Sequence, residues 1–218
     1  YKPSIKGNDL QIRKVAEAIS AAKRPLLCAG GGIFSACAQD ELAALAATAG
    51  IPVVTTMMGL SLLPTDSPYN LGMLGAYGTK SANAALGEAD LLISAGARAA
   101  DRAVTAPKEV SRRTRVIHID VDPAEIGKNM STNIPLVGDI KVIFNQILAL
   151  SPKADSEEWL ALVRRRRSAD IAHSPVCRPR SVSPVSLMRA LGERLNPNAC
   201  ICVDVGQNQM WAAKHLIL

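Results

Sequence analysis

Pro25-Leu-Leu-Cys-Ala-Gly-Gly-Gly32 decides the fold of this chain. Five apolar residues without polar alternation describe a strand buried on both faces, as in a parallel sheet covered by helices. The three glycines turn the chain. A helical pattern then runs from about Ser35 or Ala38 to Ala49, and Gly50 stops it. The same phrase recurs. Residues 51–56, 70–74, 90–95, 114–120 and 135–137 read as further strands. Helices over 10–22, 81–88 and 140–150 separate them, the first capped by Asn8 or Asp9 and the last by Asp139. This alternation gives an α/β fold: a doubly wound, six-stranded parallel sheet with helices on both faces.

Composition narrows the function. Apolar residues make up 48% of the 218 residues, enough for a substantial core, but aromatics only 3%. That balance argues against nucleic-acid or sugar binding through ring stacking. The net charge of +6 is concentrated in Arg164 to Arg167 with Arg178, Arg180 and Arg189. It reads as a solvated linker or helix face rather than an RNA-binding arm. The five cysteines have no CxxC spacing, and Cys28, Cys200 and Cys202 lie in apolar runs that read as buried. No apolar run reaches transmembrane length, and no leader opens the chain. A reducing cytoplasm is expected, with an organelle matrix as the other option.

In doubly wound sheets the ligand crevice lies at the carboxyl ends of the strands. Six small or polar clusters fall there: Gly30 to Gly32, Thr55 to Gly59, Gly72 to Gly78, Gly96 to Arg102, Asp120 to Asp122, and Gly138-Asp139. Tight turns account for two or three of them, but not for Arg98, Asp101 and Arg102 in one row. Arg98 follows a strand's glycine closely enough to reach a diphosphate, with Asp101 as anchor for Arg98 or Arg102; a surface salt bridge is the equal alternative. Asp120-Val121-Asp122-Pro123 suits either ribose hydroxyls or a helix cap. The glycine run is neither GxGxxG nor a P-loop, so alone it is weak.

After residue 150 the composition changes to Ser, Pro and Arg. A helix over 157–168 is expected to turn Trp159, Leu162 and Val163 inward, with a linker to 183. Ser183 caps a helix over 184–195 that has Pro184 in its first turn. Ala199-Cys-Ile-Cys-Val203 reads as a last buried strand, followed by Gly206, Gln207 and Asn208 at a helix start suited to phosphate. The chain reads as a piece of a longer enzyme: a central domain over 1–150, a connector over 151–183, and the opening of a third domain over 184–218.

These residues together resemble the central domain of thiamine-diphosphate-dependent enzymes, most closely the acetolactate synthase large subunits. The likeness is carried by the runs 22–32, 50–56 and 71–79, by Ala89 to Ile93, by Gly96-Ala-Arg98 with Asp101-Arg102, and by 117–129, Gly138-Asp139 and 204–213. The resemblance implies a Rossmann-like domain that holds FAD in a structural role. Its expected contacts are Gly30, Gly31, Gly32, Thr56, Met57, Leu74, Gly75, Ala76, Tyr77, Gly96, Ala97, Arg98, Asp101, Arg102, Asp120, Val121, Glu125, Ile126, Gly138 and Asp139. Gly206, Gln207 and Asn208 would begin the thiamine diphosphate site. Thiamine diphosphate and Mg2+ belong to the whole enzyme, which condenses two pyruvates, or pyruvate with 2-ketobutyrate. Its catalytic glutamate and magnesium motif would lie outside these 218 residues, so the piece alone is expected to be inactive. Lacking the domains that cover part of the flavin, and with Ala99 where the family has an aromatic, it is expected to purify colourless. A homodimer or tetramer with a small regulatory subunit is implied, without nucleic-acid or membrane partners. Glyoxylate carboligase, pyruvate oxidase, an ADP-binding decarboxylase and a structural nucleotide-binding domain stay open.

Overall fold

The computed structural model describes residues 4–100, 102–104, 106–172, 182–196 and 198–217. Six strands form one all-parallel sheet: β1 (Pro25–Ala29), β2 (Val53–Thr55), β3 (Asn70–Met73), β4 (Leu91–Ala95), β5 (Arg115–Asp120) and β6 (Ile134–Val137). Their spatial order is β3-β2-β1-β4-β5-β6. The order reverses direction between β1 and β4, so the connections leaving those two strands run to opposite faces of the sheet and leave a crevice outside their carboxyl ends.

Alternate residues of each strand face opposite layers. Leu27, Ala29, Ile93 and Ile117 pack under α1 (Asp9–Ala21), α3 (Gln39–Ala49) and α6 (Ile140–Leu148). Leu26, Cys28, Leu92 and Val116 pack under α4 (Lys80–Glu88), α5 (Pro107–Arg113) and α7 (Glu157–Ala172). A short helix α2 (Gly32–Ser35) bridges β1 and α3, and a single 3-10 turn (Met57–Gly59) follows β2. Local chemistry sets the ends. Asn8 Oδ1 accepts the N–H groups of Leu10 and Gln11, Asp139 accepts that of Val142, and Gly50 closes α3 with φ +69°.

The connector after residue 150 is docked. Ala154 N–H donates to Ala49 O, Ser156 Oγ to Gly50 O, and Trp159 Nε1 to Pro25 O at 3.0 Å. Trp159 and Val163 are buried, whereas Leu162 is only partly so. The arginine run is not a bare solvated face. Arg164 donates to Pro68 O and lies 5.3 Å over the Tyr69 ring, and Arg166 pairs with Glu88 at 2.7 Å. The reading of a linker to residue 183 lies outside the described residues from 173 to 181.

Ser183 caps α8 (Pro184–Gly192) as expected, and α9 (Gln207–His215) follows. The expected strand over 199–203 does not form. These residues pair with no strand, and the sheet ends at β3 and β6. Without a partner edge the run stays exposed, so Cys200 and Cys202 are exposed thiols, while Cys28 is buried. Burial pushes the Cys28 thiol up to about 12. α5 is an addition to the sequence reading: only Val110 of its seven residues is buried, so it carries no periodic signal.

Candidate functional site

At the switch point three glycines let two loops touch. A Cβ on Gly30 would lie 2.1 Å from Gly96 O, and one on Gly32 would lie 2.7 Å from Gly96 Cα. Gly96 itself has φ +55°. Gly30 N–H donates to Ala95 O and Gly32 N–H to Gly96 O, at 3.0 and 3.1 Å. This corrects the expectation that the N–H groups of Gly30 to Gly32 all face a ligand. Two of the three tie the β1 and β4 loops together, leaving Gly31.

Above these loops lies a cleft of about 650 Å³. It is lined by Gly31, Gly32, Thr56, Met57, Leu74, Tyr77, Gly96, Ala97, Arg98, Arg102, Asp120, Val121 and Glu125 from the expected set. Ser35, Met58, Met73, Ala100, Ala103 and Asp122 complete the walls, and Gln209 and Met210 enter from α9. The wall nearest β2 and β3 is apolar, through Met57, Met58, Met73 and Leu74. The wall after β5 is acidic, through Asp120, Asp122 and Glu125. Arg98 stands between them with its side chain 77% exposed and its guanidinium 3.8 Å from Glu125 Oε2. Glu125 is held by Lys128 at 2.9 Å.

The other expected residues support the cleft or lie apart from it. Gly30 provides the loop approach. Gly75, at φ +107°, exchanges two hydrogen bonds with the Asn83 side chain, and Ala76 N–H donates to Arg102 O at 3.0 Å; together they fasten the Arg102 loop. Ile126 is not a lining residue. Gly138 and Asp139 belong to the start of α6, where Asp139 N–H donates to Ile5 O and its side chain caps the helix. Gly206, Gln207 and Asn208 are exposed, and the Asn208 side chain donates to Asp204 O. Asp101 lies outside the described residues. Asp122 opens a turn rather than a helix: Asp120 Oδ1 accepts its N–H, and its own Oδ1 accepts that of Ala124.

His118 of β5 is 3% exposed behind this wall. Gly127 N–H approaches its Nδ1 at 3.4 Å, while Nε2 is buried with no partner among the described residues. Burial holds its pKa below the usual imidazole value, against the pull of Asp120 and Glu125. Gln209 and Met210 were the lining residues hardest to foresee, since they reach the cleft only through the packing of α9 beside β3.

A parallel sheet in the order 3-2-1-4-5-6 with a cleft at its switch point defines a doubly wound α/β domain of Rossmann-like topology. The chain belongs to the thiamine pyrophosphate enzyme family, whose central-domain model matches residues 12–147. Among its relatives, a probable acetolactate synthase large subunit of Methanocaldococcus jannaschii is 41% identical over 98% of this chain and 37% of that protein. The acetolactate synthase of Mycobacterium bovis is 38% identical over 99% of the chain and 36% of that protein. The acetolactate synthase large subunit of Lactococcus lactis is 36% identical over 99% and 37%. The chain thus spans little more than a third of the length of these relatives.

Proposed function

We propose that this chain is the FAD-holding part of an acetolactate synthase large subunit. The observation that carries the proposal is the 650 Å³ cleft at the β1/β4 switch point, apolar at one end and acidic at the other, with Arg98 exposed between them. Its volume falls within the range of small-molecule and cofactor sites. The lining suits a flavin dinucleotide lying along the sheet edge. Met57, Met58, Met73 and Leu74 pack against the ring system, and Arg98 and Gly31 N–H meet the diphosphate. Asp120 and Glu125 accept ribose hydroxyls, and Tyr77, Gln209 and Met210 cover the mouth. The FAD here is structural: it keeps the strand-end loops in place for the rest of the enzyme.

The whole enzyme joins two pyruvates, or pyruvate and 2-ketobutyrate. One carbon–carbon bond forms between two carbonyl carbons, and one carboxylate leaves as carbon dioxide. Thiamine diphosphate supplies the carbanion chemistry when bound. Magnesium, the companion of that cofactor, has no cluster of three His, Cys, Asp or Glu ligands among the described residues. A dimer or tetramer of large subunits, a regulatory subunit and a cytoplasmic setting complete the proposal. No helix among the described residues is long and apolar enough to cross a membrane.

The test is quenching of flavin fluorescence on titration with the protein, wild type against Arg98→Ala. One charge-assisted contact contributes about 1.5–3 kcal/mol, so the variant should bind FAD about tenfold more weakly or worse. Equal affinity would remove Arg98 from the site. Tight ADP binding without FAD binding would favour an ADP-binding relative.

A further inference from the structure

A second cavity lies beside β3, where α4, α7, α8 and α9 meet. It measures about 160 Å³ and is lined by Thr79, Lys80, Arg167, Asp170, Ile171, Arg189, Lys214 and His215. Among the described residues, four cationic side chains therefore line it with one carboxylate. That carboxylate is already engaged, since Asp170 Oδ2 accepts Ser81 N–H at 2.7 Å. Arg189 is fixed at the rim by donating to Ile171 O.

Arg167 is the innermost cation. Its guanidinium lies where β3 has no side chain: a Cβ on Gly72 would sit 3.4 Å from Arg167 Cζ and Nη1. Its Nε is buried with no hydrogen-bond partner among the described residues. Burial and the neighbouring Arg189 both lower its pKa, opposed by Asp170. His215 has its pKa lowered by burial and then by Lys214, Arg189 and Arg167. Burying a guanidinium N–H without an acceptor is costly, and grouping four cations around one acid adds repulsion. A bound anion removes both penalties.

We infer that this cavity binds a small oxyanion of the phosphate type, between Arg167, Arg189, Lys80 and Lys214. The volume decides the class of ligand. It has room for a phosphate group and a few waters, but is well below the 300 Å³ or more typical of sites for drug-sized ligands and cofactors. A free phosphate ion and the phosphate of a small ester share this chemistry. The site shares no lining residue with the flavin cleft, although α9 borders both.

The test follows the His215 ring signals by NMR during titration with inorganic phosphate, with glycerol 3-phosphate, and with sodium chloride at matched ionic strength. Phosphate should shift these signals saturably and raise the His215 titration midpoint, because an anion offsets the three cations that lower it. Tighter binding of inorganic phosphate would identify the free ion as ligand, and tighter binding of glycerol 3-phosphate would identify an ester. Arg167→Gln should weaken binding about tenfold or more, the worth of one charge-assisted contact. Lys214→Gln, on the exposed side of α9, should weaken it severalfold and does not depend on core packing. A chloride titration that reproduces the shift, or unchanged phosphate affinity in both variants, would overturn the inference.

Discussion

Gly30→Ala is the sharpest single perturbation of the switch point. The new Cβ would meet Gly96 O at 2.1 Å, Ala97 Cα at 2.5 Å and Gly96 C at 2.6 Å, all backbone atoms with no rotamer to escape into. Relief requires the β1 and β4 loops to part by about 1 Å, judged against ordinary carbon–oxygen contact. Overpacking of this kind costs about 1–3 kcal/mol. Parting the loops also strains the Gly30 N–H to Ala95 O and Gly32 N–H to Gly96 O bonds, worth about 0.5–1.5 kcal/mol each. A loss of about 3–4 kcal/mol is expected, a large share of the 5–15 kcal/mol typical of a domain. Gly87→Ala is the control. Nothing among the described residues lies within 4 Å of its added Cβ, and it sits inside α4, so it should stabilise by about 0.5–1 kcal/mol. Urea unfolding of both variants measures the difference. With a slope of about 2 kcal/mol per molar, Gly30→Ala should lower the midpoint by about 1.5–2 M. A Gly30→Ala midpoint within 0.5 M of wild type, as a rough margin on the same slope, would refute the close-approach argument.

Further outcomes follow from buried groups and thiols. Trp159→Phe should cost about 1–3 kcal/mol in urea unfolding, because it leaves Pro25 O without its 3.0 Å donor in the core. In a Cys177→Ser background, a thiol reagent should label Cys37, Cys200 and Cys202 in the native protein, and Cys28 only on unfolding. Rapid labelling of Cys28 would contradict its burial. His118 and His215 both have folded pKa values held below the unfolded value of 6.5. The unfolded chain then binds more protons just below that pH. Stability should be full above about pH 6.5 and fall as pH drops from there through the folded values. The double variant His118→Asn, His215→Gln should flatten that slope in pH-dependent thermal unfolding.

Much of the sheet was legible because its strands are buried on both faces, so Pro25–Ala29 and Leu91–Ala95 read as unbroken apolar runs. Apolarity alone misled at 199–203, where the same pattern has no neighbouring edge to pair with. The arginine run reads as a charged surface, yet Tyr69 and Glu88 meet it from other elements, which no local pattern reveals. Of the expected site, residues following β1, β2, β3, β4 and β5 gather at one cleft, because a parallel sheet places all its strand ends on one side. Gly138-Asp139 shares that edge but serves the α6 cap, and a cap and a ligand contact call for the same residue types. The Gly30 to Gly32 run carried its meaning in loop contact, which depends on Gly96, more than sixty residues away.

The central claim is that the switch-point cleft holds FAD, and amide-resolved NMR mapping of FAD binding tests it most directly, since it detects weak as well as tight complexes. Saturable shifts concentrated at Gly31, Gly32, Thr56, Tyr77, Gly96, Arg98 and Val121, and absent at Gly138 and Asp139, are the expected result. Shifts centred on Thr79, Arg189 and His215 instead, or none at millimolar FAD, would contradict it.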